Sequence, residues 1–359
     1  MQEEAIVQED RSAPTARSVE RDAMRILPLH LAGFLGQAED DVQLGLEPRG
    51  GPGDIGAEAG GLRWLFQVKT SSQPGIVASV ADRLVPLSDD GTVAALVVPY
   101  MTPAGAKTAQ DRGLNWLDLS GNACMHARGL HVSVEGRANA FTRRGRPASA
   151  FAPKSSRLAH ALLLDPMRWW RQKDLALATE LDDGHVSRIV RRLADDELVI
   201  GQEGRWRPRD PSLLLDAWAG DYRFDRHDIV IGHATGSGME LAREIDERLS
   251  AAQVDHAFTG LVSAWTVDPF ARFRLNTVFV RGDPVRAADA VGLRRNERGA
   301  NVQLVCPIDQ GVFIGRSVRD HLSCVSPVQT YLDLLSLPER AADAAHELRE
   351  RGRLWDASV

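Results

Sequence analysis

The sequence predicts a multidomain α/β chain in which two regions of alternating strands and helices flank a helical segment that ends in a β-ribbon. Three observations predict it. The length of 359 residues exceeds what one hydrophobic core holds, about 250–300 residues. An apolar share of 43% and a charged share of 26% are those of a folded globular chain. Short apolar runs of strand character alternate with helically spaced segments near both ends, whereas the middle shows helical spacing followed by a Gly-rich hairpin signal.

Residues 1–17 are polar without an apolar period and are expected to form a mobile tail. A helix is expected over residues 17–37, with Pro28 kinking it or dividing it in two. Strand-like runs follow at 42–46 and 62–69, with the Gly-rich GGPGDIG between them. Residues 76–87 read as a helix, and the continuous apolar run 92–99 reads as a strand buried on both faces. A helix at 103–112 and short strands at 115–118 and 131–135 complete an N-terminal α/β domain over 18–136. Within it, Asp118 ends a strand and Gly121–Asn122 suits a turn with positive φ, closed by the Asn122 side chain itself.

Between residues 137 and 171 the composition turns basic. Arg137, Arg143, Arg144, Arg146, Lys154, Arg157, Arg168 and Arg171 face a single acid, Asp165, and Pro147 and Pro153 mark residues 137–153 as a linker. The net charge of −6 means that any contact with nucleic acid must come from a local patch, because exposed charges are screened beyond ~8–10 Å. Residues 154–210 then read as three helices (154–164, 172–179 and 185–196) and a hairpin with a Gly-rich turn at 201–204. On the third helix Val186, Ile189, Val190 and Leu193 fall on one stripe at i, i+3, i+4, i+7. Ser187, Arg188, Arg191 and Asp195 point the opposite way, with Arg192 at the edge. Arginines there can reach guanine edges or phosphates, Ser187 can bond a phosphate, and Arg205 and Arg207 put positive charge on the hairpin.

This stretch resembles the winged helix-turn-helix of bacterial transcription regulators, in the pattern xLA…VSRxVRRLxDxxLV. The resemblance implies double-stranded DNA as the partner, read by Ser187, Arg188, Arg191 and Arg192, with Arg205 and Arg207 on the wing. Residues 154–209 hold eleven basic and nine acidic side chains, so the segment is only weakly basic.

In the first domain Asp54, Gln67 and Lys69 form the spacing D-x12-Q-x-K. Residues two apart on a strand share a face, so Gln67 and Lys69 can share a site. The pattern resembles the restriction-endonuclease-like (PD-(D/E)XK) fold, most closely its Mrr-type variants. That resemblance implies a Mg²⁺-dependent nuclease centre of Asp54, Gln67 and Lys69, with Glu20 assisting and Asp54 and Glu20 as metal ligands. A neutral Gln67 is a departure from the hard anionic oxygens that Mg²⁺ prefers.

The C-terminal α/β domain, residues 211–359, opens on an amphipathic segment. Its expected strands are 228–234, 274–280, 301–307 and 311–315, and its expected helices 238–251, 260–267, 285–291, 327–335 and 339–352. The segments HAFTGLVSAW, RLNTVFVRG and VQTYLDL resemble the C-terminal domain of AbiEi-type antitoxins of type IV toxin–antitoxin systems. That likeness implies an autorepressor, with a homodimer and a cognate toxin as further partners. The turn Gly236–Ser237–Gly238 is expected to be a helix entry, and it also resembles the triphosphate-holding turn of nucleotidyltransferases. Strand 274–280 carries Asn276 and Thr277 where that chemistry needs paired carboxylates, so a nucleotidyltransferase-like fold without catalysis is expected.

Cys124, Cys306 and Cys324 lie far apart with no C-x-x-C spacing, which argues against a disulfide framework and a structural zinc site. No apolar run approaches the ~20 residues of a membrane helix. Residues 1–11 are acidic and polar, and a cytoplasmic location is expected. The leading reading is a sequence-specific DNA-binding regulator needing no cofactor. The competing readings are a Mg²⁺-dependent endonuclease and a scaffold for a cognate toxin.

Overall fold

The computed structural model describes residues 15–47, 53–127, 129–141, 149–269, 273–295 and 298–355. The chain forms two compact units, residues 1–146 and 147–359. The expected tail up to residue 14, and Arg143, Arg144, Arg146 and Pro147 of the expected linker, lie outside the described residues. Among the described residues no helix is long and apolar enough to cross a membrane.

The first unit opens with α1 (Ala16–Leu35), capped by the Thr15 hydroxyl accepting from Ser18 N–H and closed by Gly36 at φ 65°. Residues 15–17 therefore belong to the helix and its cap. Pro28 lies inside a single helix and does not divide it. Strands β1 (Gln43–Leu46), β2 (Ile55–Ala59) and β3 (Leu62–Val68) form an antiparallel meander. Helix α2 (Pro74–Leu84), β4 (Thr92–Val98), α3 (Pro103–Asp111) and β5 (Asn115–Asp118) then give two parallel pairings, β3 with β4 and β4 with β5. The antiparallel β6 (Ala123–Ala127) and β7 (Leu130–Val134) complete a seven-stranded sheet in sequence order.

Period-two alternation assigns the two faces of this sheet. Trp64, Phe66, Val93, Ala95 and Val97 join Val19, Ala23, Leu27 and Leu31 of α1 in one core. Leu65, Ala94, Leu96 and Val98 join Val77, Val80, Ala81 and Leu84 of α2 in the other. The apolar run at β4 is thus a strand buried on both sides, as its composition predicts. Strands β2 and β6 were not among the expected strands. Their Gly- and Ala-rich sequences, IGAEA and ACMHA, lack the β-branched density that marks β4.

The second unit begins with residues 149–155, which are not a free linker. Ala150 and Phe151 are buried, and the Ser149 hydroxyl donates to the Asp221 carboxylate. Next come α4 (Ser156–Leu164), β8 (Trp170–Arg171), α5 (Gln172–Thr179), α6 (Asp183–Asp195), β9 (Val199–Gln202) and β10 (Arg205–Pro208). The three strands form a small antiparallel sheet in the order β8-β10-β9.

Helix α7 (Pro211–Asp221) leads into a six-stranded mixed sheet in the order β11-β14-β13-β12-β16-β15. Its elements in chain order are β11 (Asp228–Gly232), α8 (Gly238–Ala251), β12 (His256–Thr259), α9 (Gly260–Val267), β13 (Asn276–Val280), α10 (Pro284–Val291), β14 (Val302–Cys306), β15 (Ser317–Arg319), β16 (Leu322–Cys324), α11 (Pro327–Leu334) and α12 (Ala341–Glu350). The strand expected at 311–315 is instead a 3-10 turn, Gln310–Phe313, because the Asp309 carboxylate accepts from Gly311 N–H at 2.7 Å and folds the chain back. The unexpected hairpin β15–β16 turns on Asp320 and His321, both at positive φ (49° and 68°). That pair lacks the Asn-Gly or Asp-Gly signature by which such turns are read.

Candidate nucleic-acid interface

Helices α4, α5 and α6 and the small sheet enclose one apolar centre. Leu158, Leu162, Leu175, Val186, Ile189, Val190 and Leu193 are all 5% exposed or less, so the stripe expected on α6 is its buried side. The turn before α6 is set by Glu180 at φ 55° and by Asp182, whose carboxylate accepts from His185 N–H at 2.8 Å. That bond holds the Asp182 carboxyl below its ordinary value, with the His185 and Arg188 charges adding to it. Helix α6 therefore starts at Asp183, two residues earlier than the apolar period suggests, because the cap rather than the stripe fixes a helix start.

On the opposite side Arg188, Arg191 and Arg192 are exposed and Ser187 is half-buried. Arg188 Nε donates to Gly184 O at 3.2 Å, and Arg192 Nε donates to the Asp196 carboxylate at 3.2 Å. Among the described residues Arg188 and Arg191 form no ion pair. Asp182 and Asp183 suit the positive helix end but repel a phosphate there. The part of α6 best suited to a polyanion is thus its middle, at Arg188 and Arg191.

The hairpin turn is Glu203–Gly204, at φ 51° and 72°. Gly201, expected in the turn, lies in β9 beneath Trp206; a Cβ there would come within 2.8 Å of the indole. In register, Arg205 of β10 stands opposite Gln202 of β9 and Arg171 of β8. Arg207 stacks on Trp169, its Cζ 4.8 Å from the ring centroid, and its Nε is buried without an acceptor. Arg205 is exposed and Arg207 half-buried.

The helical module is bolted to the C-terminal sheet through α4. Arg157 reaches the Asp309 carboxylate with two N–H bonds, 2.7 and 3.0 Å long, and donates a third to Thr179 O at 3.1 Å. His160 is buried between Gly311 O (3.1 Å from Nδ1) and the Ser326 hydroxyl (2.7 Å from Nε2). A carbonyl can only accept, so Nδ1 carries the proton and Nε2 accepts from Ser326. Burial lowers the His160 pKa to about 4, leaving the ring neutral. A second buried network joins Tyr222, just after α7, to Asp333 of α11. Tyr222 (2.5 Å), Gln329 (2.9 Å) and Thr259 (2.5 Å) all donate to the Asp333 carboxylate. The candidate reading face of α6 remains exposed within this unit.

Of the nuclease-like residues, Asp54 lies against the end of β3 next to Gln67 and Lys69, whereas Glu20 lies on a helix at the other face of the sheet. Asp54 precedes β2, and its Oδ2 accepts from Val68 N–H at 2.7 Å. Gln67 lies on the α2 side of the sheet, where its Oε1 accepts from Arg83 at 3.3 Å. Glu20 belongs to α1, the helix on the other face. Lys69 follows β3, and its side chain forms no hydrogen bond or ion pair among the described residues. One carboxylate tied to a backbone amide and one neutral amide beside a guanidinium do not fit the anionic oxygen set that Mg²⁺ prefers. Among the described residues no three His, Cys, Asp or Glu are grouped to hold a metal.

Asp118 and Asn122 form a brace. Asp118 is fully buried, and its carboxylate accepts from Met101 N–H, Asn122 N–H and the Asn122 amide, each at 2.9 Å. Asn122 also accepts from Arg137 N–H at 2.8 Å and donates to Arg137 O at 3.2 Å. Asn122 thus closes its turn, as expected, and also pins the strand that leaves the sheet. Gly236–Ser237–Gly238 leads into α8, and the Asn301 side chain braces this loop through Ala234 and Gly236. Arg157, Asp309, Trp169 and Arg171 were not selected from the sequence. Only the basic run at 137–171 hinted at Arg157 and Arg171. Comparison of the chain with protein-family models, curated proteins and solved structures found no match.

Proposed function

We propose that this protein is a sequence-specific double-stranded DNA-binding transcriptional regulator whose module at residues 154–210 is a winged helix-turn-helix. One observation carries the reading. Helix α6 buries its full apolar stripe and presents Arg188 and Arg191 to solvent, and among the described residues neither forms an ion pair. Such a helix can enter a major groove and offer guanidinia to base edges. Ser187 and Arg192 have lesser parts, since one is half-buried and the other pairs with Asp196. The likeness to AbiEi-type antitoxins makes DNA upstream of the protein's own gene the first duplex to test. The endonuclease reading is not favoured, because one Asp54 oxygen and the Gln67 amide oxygen each accept a protein donor and the second ligand is uncharged.

The test is a gel shift of full-length protein on that upstream DNA, with and without Mg²⁺. Intact DNA should shift. The double variant Arg188→Ala/Arg191→Ala should lose about 1–3 kcal/mol per base contact removed. DNA shortened only in the Mg²⁺ lanes would move the function to the first unit. A wild-type protein that shifts no duplex would leave the toxin-scaffold reading standing.

A further inference from the structure

The β6–β7 hairpin, at the edge of the first unit's sheet, holds two imidazoles side by side. Ala123, Met125 and Val132 belong to the core on the α1 side of that sheet. Period-two alternation therefore sends Cys124, His126, His131 and Ser133 to the opposite face. Cys124 packs there against the α2-side core, whereas His126, His131 and Ser133 are exposed. His126 and His131 stand directly opposite each other in register, and their ring centroids are 4.4 Å apart in an edge-on arrangement. The main-chain N–H of His126 donates to the Asn115 side chain at 2.9 Å and so points away from β7. The two histidines thus occupy a non-hydrogen-bonded position of the ladder, where opposed side chains come closest. Among the described residues neither ring forms a hydrogen bond or an ion pair.

We propose that His126 and His131 together chelate one transition-metal dication of the Zn²⁺ class. Imidazole nitrogen suits Zn²⁺, Cu²⁺ and Ni²⁺, whereas Mg²⁺ and Ca²⁺ take oxygen ligands. At a Zn–N distance of about 2.0–2.1 Å, two nitrogens on one tetrahedral ion stand about 3.3 Å apart. Rings with centroids 4.4 Å apart can bring one nitrogen each to that separation by turning about χ2, a broad torsion in histidine. The ladder has already ordered both backbones, so the chelate costs little further entropy. Cys124, the next residue of this face on β6, is half-buried and is not grouped with the pair, so water completes the coordination. The bound ion ties the edge strand β7 to β6. Without it, two protonated imidazoles set opposite each other would repel. The site lies in the first unit and is independent of the DNA-binding reading above.

The experiment is calorimetric titration of Zn²⁺ into metal-free full-length protein near neutral pH, with thermal melts run beside it. Wild type should take up one equivalent that His126→Ala and His131→Ala each lose. Its melting temperature should rise with Zn²⁺, because a ligand that binds only the folded state stabilises it. Both side chains are exposed, so the two variants should melt with wild type when no metal is present, which checks their folding. Cys124→Ser should keep the equivalent, and so should His346→Ala, which removes an exposed histidine of α12. Mg²⁺ in place of Zn²⁺ should give no such uptake. Acidification should weaken the wild-type uptake, because imidazole ligates a metal only when neutral. A wild type with no saturable Zn²⁺ uptake would overturn the assignment. So would uptake that survives in the double variant His126→Ala/His131→Ala, or that is lost in Cys124→Ser while both histidine variants keep it.

Discussion

Arg157 and Asp309 stand 152 positions apart and meet through two charge-assisted hydrogen bonds, with side chains only 12% and 16% exposed. Breaking a partly buried pair leaves one charge desolvated without its partner. Arg157→Ala should therefore lower stability by about 2–3 kcal/mol, and Asp309→Ala by a similar amount. The double variant should cost clearly less than the sum, because the two changes remove one interaction. Urea unfolding of the four proteins measures this, and simple additivity would show that the pair is not coupled.

The neutral state of His160 gives a pH dependence of definite sign. Its folded pKa is about 4 against an ordinary 6.5, so between these values the unfolded chain takes up a proton that the folded chain refuses. This contribution is full above pH 6.5 and is lost as pH falls towards 4, by up to about 3 kcal/mol. His227, also lowered to about 4 by burial, acts in the same direction. Asp333 acts oppositely. Burial raises its carboxyl to about 7, so its part of the stability declines as pH rises from about 4 to 7. Comparing His160→Gln with wild type isolates the one residue. The variant's unfolding midpoint should vary less between pH 6.5 and 4, and parallel curves would remove His160 from the account.

Asn122 gives the first unit a test of its own. Asn122→Ala strips one donor from the buried Asp118 carboxylate and leaves Arg137 N–H without its acceptor. A loss of about 2–4 kcal/mol is expected, read as a lower melting temperature. Asn122→Asp should cost more near neutral pH, because it places a second carboxylate where the amide now donates at 2.9 Å. Lowering the pH should recover part of that loss. Equal stability of the two variants at every pH would contradict the brace.

Local patterns sufficed for several elements and failed for others in an orderly way. Helices α5, α8 and α9 and strand β5 fall at the residues expected, because each is bounded by a sharp change of composition. The stripe on α6 was legible from its period alone, since four apolar side chains at helical spacing have only one way to be buried. Strands β2, β6, β12, β15 and β16 were missed. They are three to five residues long and are held by ladder bonds to partners that no local window contains.

For the candidate interface, the sequence by itself determined which helix offers arginines to solvent and which side chains it buries. It also placed a hairpin with basic strands just after that helix. Only the tertiary structure decided which of those charges are free. It paired Arg192 with Asp196, joined Arg157 to Asp309, and stood Arg171 beside Arg205. The same holds for Glu20, which the nuclease resemblance joins to Asp54, Gln67 and Lys69 while the sheet sets Gln67 and the helix of Glu20 on opposite faces. The reason is range. Periodicity is fixed by backbone geometry over a few residues, whereas the neutralisation of a charge depends on whatever group, from any distance along the chain, comes within hydrogen-bond reach.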